Sequence, residues 1–211
     1  PGPFRFYSMA TIPRFTGISA DNPRALLRGI QKATPSTIFY HVYHALFRRH
    51  FTSSEFMNDF ARWAWNTLHE PVLAEKLAAV DPTGYTSIDH AREALAVVLK
   101  EQLGNIEFIP HTSPENRFHF IEAQSFEFPT GVEAKDPKDF AEKVLQAPPD
   151  VIFFHFVLAP QRLKRDTNEF SEWMRRHGEE AIAKKLEAQS PYVGDLFTLR
   201  TRISELCREG A

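Results

Sequence analysis

Cysteine is the scarcest residue type in this sequence, because only Cys207 occurs among its 211 residues. One cysteine cannot form an internal disulfide, so we expect a fold held by its hydrophobic core and a reducing compartment, the cytoplasm, as its location. The sequence also lacks long runs of Lys or Arg, and its formal charge is −2. This charge provides no general attraction for nucleic-acid phosphates, so nucleic acid is not predicted as a partner.

Long apolar runs are absent as well, since no stretch approaches the roughly 20 apolar residues that a membrane-spanning helix requires. The motifs of common enzyme classes are missing too: there is no nucleophile elbow, Walker loop, dinucleotide-binding glycine pattern, CxxC pair or HExxH sequence. No membrane partner and no particular cofactor is therefore predicted. The sequence leaves open whether the protein is an enzyme and what its oligomeric state is.

Phenylalanine, in contrast, is abundant, with 19 Phe against 5 Tyr. Rings without hydroxyl groups favour buried packing over a polar binding face. With 43% hydrophobic residues, the chain can bury a core of ordinary size. A folded protein is predicted.

The chain also resembles itself, because residues 4–41 align with residues 118–155 at a constant offset of 114 without a gap. "NDFARW" at 58–63 matches "NEFSEW" at 168–173 after a shift of four residues. The matched positions include Phe4 with Phe118, Phe6 with Phe120, Gly17 with Gly131, Pro23 with Pro137, Pro35 with Pro149 and His41 with His155. We predict a first repeat at 1–104, a connector at 105–117 and a second repeat at 118–211, packed as one pseudo-twofold globular domain.

The local patterns predict mainly helical repeats. The opening segments alternate rings with polar residues, which is typical of short strands, and Gly17 and Gly131 are predicted to form the turns that follow. Asn22-Pro23 and Asp136-Pro137 each provide an N-cap followed by proline at the first helical position. We therefore expect a mainly α fold, a tandem duplication of a roughly five-helix unit, with short β segments opening each copy and forming a small antiparallel sheet.

His41 has two interpretations. Ile38, His41, Val42 and Ala45 follow helical spacing, so the imidazole is expected on a buried face. A buried ring without a partner costs about 1–3 kcal/mol, so His41 is either a core histidine bonded to a carbonyl or a neighbouring helix, or a ligand-facing histidine. In the second interpretation it pairs with His155 in the seam between the two copies.

"NDFARW" has a structural explanation and a functional one. Asn58 can cap a helix whose first residue is Asp59, and Asn168 with Glu169 repeats the arrangement. The functional explanation is that the adjacent Asn and Asp side chains take part in chemistry. The predicted ligand-binding residues are His41, His155, Tyr40, Asn58 and Asn168, with no metal ligand among them.

A metal site unique to the first copy is the alternative. His44 lies one turn from His41 and could share a metal with it, with Glu55 or Asp59 as the oxygen ligand. The second copy has Leu158 at the position of His44, and the spacing matches no tight zinc signature. The corresponding activity would be that of a metal-dependent hydrolase or oxidoreductase.

"STIFYHVYHALFRRHF", "NDFARW" and "LAEKLAAVD" together resemble an uncharacterised prokaryotic family of domains of unknown function. Its members show a Tyr-His helix, an Asn-Asp-Phe-Ala-x-Trp motif and a Leu-Ala-Glu-x-Leu run. The likeness covers nearly the whole chain, although the second copy departs from it at Ser171 and Ser190. The resemblance implies no activity, cofactor or catalytic residue.

The leading functional hypothesis is a non-enzymatic helical module of the cytoplasm. It would bind a small molecule or a partner protein in the seam between the copies, with His41 and His155 as its polar centre. A third hypothesis is an interaction scaffold without a pocket, for which Trp65 is the candidate contact residue, since Arg175 replaces it in the second copy.

Overall fold

Two strands open the two halves of the chain, β1 (Phe4–Ala20) and β2 (Phe118–Ala134). They form a two-stranded sheet in a computed structural model that describes residues 2–49, 56, 58–105, 107–190 and 194–209. Arg5 pairs with Glu133 and Arg14 with Glu122, and this reversed order means that the strands are antiparallel. The predicted sheet is present.

Each strand has 17 residues and is longer than the short segments that the sequence predicted. Gly17 and Gly131 do not form turns that end the strands, because both lie inside them with φ of 78° and 79°. Glycine accepts this left-handed backbone without a steric penalty, so the strand bends locally and continues. The C-terminal halves of both strands are largely exposed. They therefore lack the alternation of apolar and polar residues by which a half-buried strand is predicted.

The remaining described chain is mainly helical, as predicted. The first half carries α1 (Pro23–Lys32), α2 (Pro35–Ile38), α3 (His44–Arg49), α4 (Asp59–Asn66), α5 (Pro71–Ala78) and α6 (Ile88–Gly104). The second half carries α7 (Pro137–Gln146), α8 (Pro149–Ile152), α9 (Ala159–Leu163), α10 (Glu169–Arg176), α11 (Glu180–Glu187) and α12 (Leu196–Glu209). None of the described helices is both long and apolar enough to cross a membrane.

The helix starts follow the predicted caps. The Asn22 side chain accepts the N–H of Ala25 at 2.8 Å, and the Asp136 side chain accepts the N–H of Asp139 at 2.9 Å. A proline follows each cap within the first helical turn, where its missing N–H leaves no hydrogen bond unmade.

A π-helical turn separates α2 from α3, at Phe39–Tyr43, and an equivalent turn follows α8, at Phe153–Val157. Tyr40, His41, Val42 and Tyr43 are all buried. An α-helical spacing predicts a narrower buried stripe, whereas the wider turn rotates consecutive side chains into the protein. Such turns occur often at functional positions.

The chain divides into two compact units, Pro1–Ala10 with Ser125–Ala211, and Thr11–Gln124. Each unit contains the helices of one copy and the first part of the strand that opens the other copy. We name them the second-copy unit and the first-copy unit after their helices. The predicted repeat boundaries at 1–104, 105–117 and 118–211 describe the order of the copies along the chain and stay a prediction.

Aromatic rings join strand to helices within each unit. In the second-copy unit, the Phe4 ring lies 5.3 Å from Phe140 and 5.4 Å from Phe170. In the first-copy unit, the Phe118 ring lies 5.0 Å from Phe60. The excess of Phe over Tyr therefore corresponds to buried ring clusters, as the composition predicted.

Candidate functional site

His41 connects β2 to α4 inside the first-copy unit. Its side chain is buried, its Nε2 accepts the backbone N–H of Ile121 at 2.9 Å, and its Nδ1 lies 2.9 Å from Asp59 Oδ2. A backbone amide only donates, so Nε2 carries no proton and Nδ1–H donates to the carboxylate. Both ring nitrogens are therefore occupied in the neutral tautomer.

His155 makes the same two bonds in the second-copy unit. Its Nε2 accepts the backbone N–H of Tyr7 at 2.7 Å, and its Nδ1 bonds to the Glu169 carboxylate. The core interpretation correctly required a partner for each buried ring. One partner is a carboxylate on a neighbouring helix, as one of the two predicted alternatives required, and the other is a strand amide, which was not predicted. A site shared by the two histidines in a seam stays a prediction.

Asp59 accepts hydrogen bonds from three side chains. Besides His41, it receives Arg48 Nη2 at 2.6 Å and Arg62 Nη2 at 2.8 Å. Burial acts to raise the pKa of Asp59, but the bonds from His41 and the two guanidinium charges outweigh it and hold the pKa below its usual value. For His41 the effect of burial has the opposite sign: it lowers the pKa of the imidazole and outweighs the hydrogen bond and charge of Asp59, which raise it. The pair is thus a neutral imidazole beside an ionised carboxylate.

An arginine stacked on an aromatic ring completes each arrangement. The Arg48 guanidinium lies 4.3 Å from the centre of the Tyr40 ring and donates to the Tyr40 hydroxyl at 2.9 Å. The Arg162 guanidinium lies 3.6 Å from the centre of the Phe154 ring and donates to Glu169 at 2.9 Å. Cation–π stacking holds both side chains in place.

Each of these arrangements forms the wall of a surface cleft. The Asp59 cleft, in the first-copy unit, has a volume of about 260 Å³, and the Glu169 cleft, in the second-copy unit, one of about 340 Å³. Both are lined by the buried histidine, the carboxylate, the stacked arginine with its ring, and a tryptophan, Trp63 or Trp173.

The two clefts differ in charge. Three arginines and one carboxylate line the Asp59 cleft, namely Arg48, Arg62, Arg117 and Asp59, which leaves two positive charges in excess among the described residues. Three arginines and three glutamates line the Glu169 cleft, namely Arg5, Arg162, Arg176, Glu127, Glu169 and Glu172, and their charges balance.

Tyr40 lines the Asp59 cleft, but the two predicted asparagines are buried helix caps. Asn58 Oδ1 accepts the N–H of Ala61, and its Nδ2 donates to the Leu77 carbonyl, both at 2.9 Å. Asn168 Oδ1 accepts the N–H of Ser171 at 2.8 Å. The capping explanation is confirmed, while a ligand role for Asn58 or Asn168 stays a prediction.

Of the residues proposed for a metal, His41 and Asp59 are hydrogen-bonded to each other at 2.9 Å. Both nitrogens of His41 are occupied, and His44 is stacked on Tyr40, with ring centres 5.4 Å apart. Burial, assisted by the Arg48 charge, lowers the pKa of His44 to about 4. Glu55 lies outside the described residues, and within the described ranges no three His, Cys, Asp or Glu side chains are grouped to hold a metal.

Sequence reasoning missed the arginines. Arg48 falls on Arg162 when the 114-residue offset is carried past the histidines, so a signal for this pair existed. Arg62 and Arg117 had none, because Glu172 and Pro3 stand at the equivalent positions. Trp65, the candidate contact residue of the scaffold hypothesis, is 42% exposed.

A solved structure and a family profile are similar to this chain. No curated protein matches the sequence. A solved structure described as "The structure of OrfY from Thermoproteus tenax" is similar, with a TM-score of 0.83 and 27% sequence identity over 99% of this chain and 95% of that chain. The profile of a family of unknown function matches residues 1–208. The chain therefore belongs to that family, DUF5752.

Proposed function

We propose that this protein is a non-enzymatic binding module, formed by tandem duplication of a helical unit, which takes a small molecule in a cleft beside each buried histidine. One observation carries the proposal: the same cleft wall recurs in both units. It consists of His41 or His155, Asp59 or Glu169, Arg48 or Arg162, and Tyr40 or Phe154. The two histidines are the same as in the seam hypothesis. We propose that the ligand binds in the cleft that each histidine lines, and not in a seam between the copies.

The duplication is supported by element bounds that repeat along the chain. β1 and β2 both have 17 residues, and the two π-helical turns begin at Phe39 and Phe153, an offset of 114. Two copies can share a fold when only their backbones are similar, without having the same polar side chains in a cleft. The retention of a polar, partly open cleft in both copies favours a role beyond packing.

Binding without catalysis is favoured by the state of the reactive groups. Neither His41 nor His155 has a ring nitrogen left to accept a proton from a substrate. Burial raises the pKa of the Cys207 thiol to about 12, which leaves it protonated and unreactive at neutral pH. A buried, unpaired thiol also fits the cytoplasm as the proposed location.

A small molecule fits the clefts better than a protein segment. The volume of the Glu169 cleft, about 340 Å³, lies at the lower end of the range for small-molecule sites, roughly 300–1,000 Å³, and that of the Asp59 cleft, about 260 Å³, lies just below it. A partner protein remains the second class of occupant and would be expected to contact the exposed Trp65 in addition.

The test is a thermal-shift screen of a metabolite library with cleft-filling variants. Asn66→Trp fills the Asp59 cleft and Arg176→Trp the Glu169 cleft, since both positions line the clefts at the exposed end of a helix. Glu101→Trp, on an exposed position of α6, is the matched control. We expect a compound that raises the melting temperature of the wild type and of Glu101→Trp but not of a cleft-filled variant. A library without such a compound would contradict the proposal.

A further inference from the structure

The Asp59 cleft has more arginine than its carboxylate can neutralise. Arg48 and Arg62 both bind Asp59, one on each carboxylate oxygen, and the His41 Nδ1–H shares the oxygen that Arg48 uses. A single negative charge therefore faces two guanidinium groups. Both Asp59 oxygens are engaged, so this carboxylate is not free to neutralise a further cation.

Arg117 adds a third guanidinium at the same cleft. It precedes β2, its side chain is exposed, and no acidic side chain within the described ranges forms an ion pair with it. Arg62 is also accessible, because 46% of its side chain is exposed and its described bond uses one of its nitrogens. A guanidinium carries five N–H donors, so both side chains retain donors for a ligand.

We infer that the Asp59 cleft binds a small molecule through a phosphate group, held by Arg62 and Arg117. This inference rests on the proposed binding function and names its ligand class. A phosphate monoester carries a charge of about −1.5 to −2 at neutral pH, which matches the excess of two positive charges. Its oxygens accept the paired N–H donors of an arginine. Asn66 and Thr67, which also line the cleft, supply neutral hydrogen-bonding groups beside it.

The second copy provides an internal contrast. Glu172 stands where Arg62 stands in the first copy, and Pro3 stands at the position of Arg117. Glu172 is bonded to Arg165 at 3.1 Å. The Glu169 cleft therefore has an anion in place of Arg62 and an uncharged residue in place of Arg117. The phosphate site is therefore specific to the first copy, and the two clefts are expected to take different ligands.

Calorimetric titration of the full chain with inorganic phosphate tests the inference. We expect wild-type protein to bind with a dissociation constant of about 1 mM or lower. Arg117→Gln should weaken binding about tenfold or more, since one charge-assisted bond contributes about 1.5–3 kcal/mol. Arg176→Gln in the Glu169 cleft is the matched control and should leave phosphate binding unchanged. Because Arg117 forms no described ion pair, its replacement should leave the fold intact, which circular dichroism checks.

Two results would overturn the inference: no phosphate binding to the wild type, or an equal loss in Arg176→Gln and Arg117→Gln. The metabolite screen separates this failure from failure of the binding module. A neutral compound that is lost only in Asn66→Trp, together with absent phosphate binding, would refute the phosphate class and support the module. If neither phosphate nor any compound binds at the cleft, both proposals fail.

Discussion

At the scale of single residues, the buried histidines are connectors. His41 and His155 each join a strand amide to a helix carboxylate, and their side chains are only 3% exposed. Such a ring bonds a strand amide and a helix carboxylate at once, and its removal leaves the amide without this partner and takes one hydrogen bond from the carboxylate. The same chemistry explains why a histidine stands here, since an apolar side chain of similar size accepts no amide.

Replacing His41 by alanine should therefore be costly. We expect His41→Ala to lower the free energy of unfolding by at least about 2 kcal/mol, because the Ile121 amide and the Asp59 carboxylate each lose a buried bond. Urea denaturation measures the change. His90→Ala, at an exposed position on α6, is the control and should have little effect. Equal stability of the two variants would show that the connector contributes nothing.

Stability should also depend on pH through His44. Its pKa of about 4 in the folded protein lies below the value of about 6.5 expected in the unfolded chain. Between these values the unfolded state binds more protons, so the free energy of unfolding falls as pH decreases from about 6.5 towards 4. His44→Leu has a precedent in Leu158 of the second copy and should reduce this loss. Urea denaturation of the wild type and of His44→Leu at about pH 7 and about pH 5 measures how much stability each protein loses between the two values. An equal loss in both proteins would contradict the effect.

At the scale of elements, one glycine decides how closely α1 packs on β2. A Cβ atom built on Gly29 would lie 2.1 Å from the Phe120 ring, whereas one built on Gly104 of α6 meets nothing within 4 Å. We expect Gly29→Ala to lower the free energy of unfolding by about 1–3 kcal/mol through overpacking. Gly104→Ala, the matched control, should be neutral or slightly stabilising. Chemical denaturation of both variants measures the contrast, and similar values for the two would exclude a steric cause.

The strand openings should matter as much as the helices. Phe4 is buried among rings of α7 and α10, and its replacement by alanine should cost about 3–5 kcal/mol. Phe15, in the same strand but 72% exposed, is the control, and Phe15→Ala should change stability by less than about 0.5 kcal/mol. Differential scanning calorimetry gives both values. A small effect of Phe4→Ala would mean that the strand opening is dispensable for the helical core.

At the scale of the whole molecule, the two compact units are not two consecutive halves of the chain. The opening of β1 belongs with the helices of the second copy, and the opening of β2 with those of the first. Phe4→Ala should therefore accelerate amide hydrogen exchange in α7 and α10, which are distant in sequence. The nearer helices α1 and α4 should be much less affected. Hydrogen-exchange mass spectrometry resolves the two patterns, and faster exchange confined to α1 and α4 would contradict the division into these units.

Local chemistry made much of this predictable from the sequence. Asx-Pro caps fix where α1 and α7 begin because their hydrogen bonds are made within one turn. Ring-rich segments indicate the strand openings, and the matching order of motifs is the basis of the duplication that we propose. The need of a buried imidazole for partners was also evident from helical spacing around His41.

Tertiary structure decided the rest, because the relevant contacts join residues far apart in sequence. Ile121 is 80 residues from His41, yet its amide determines which nitrogen of that ring carries the proton. Arg117 reaches the Asp59 cleft only because β2 packs on helices of the first copy. The local spacing of apolar residues carries no information about such contacts between distant segments. The sequence therefore determined the mainly helical fold and the starts of its capped helices, while packing determined which charges share a cleft.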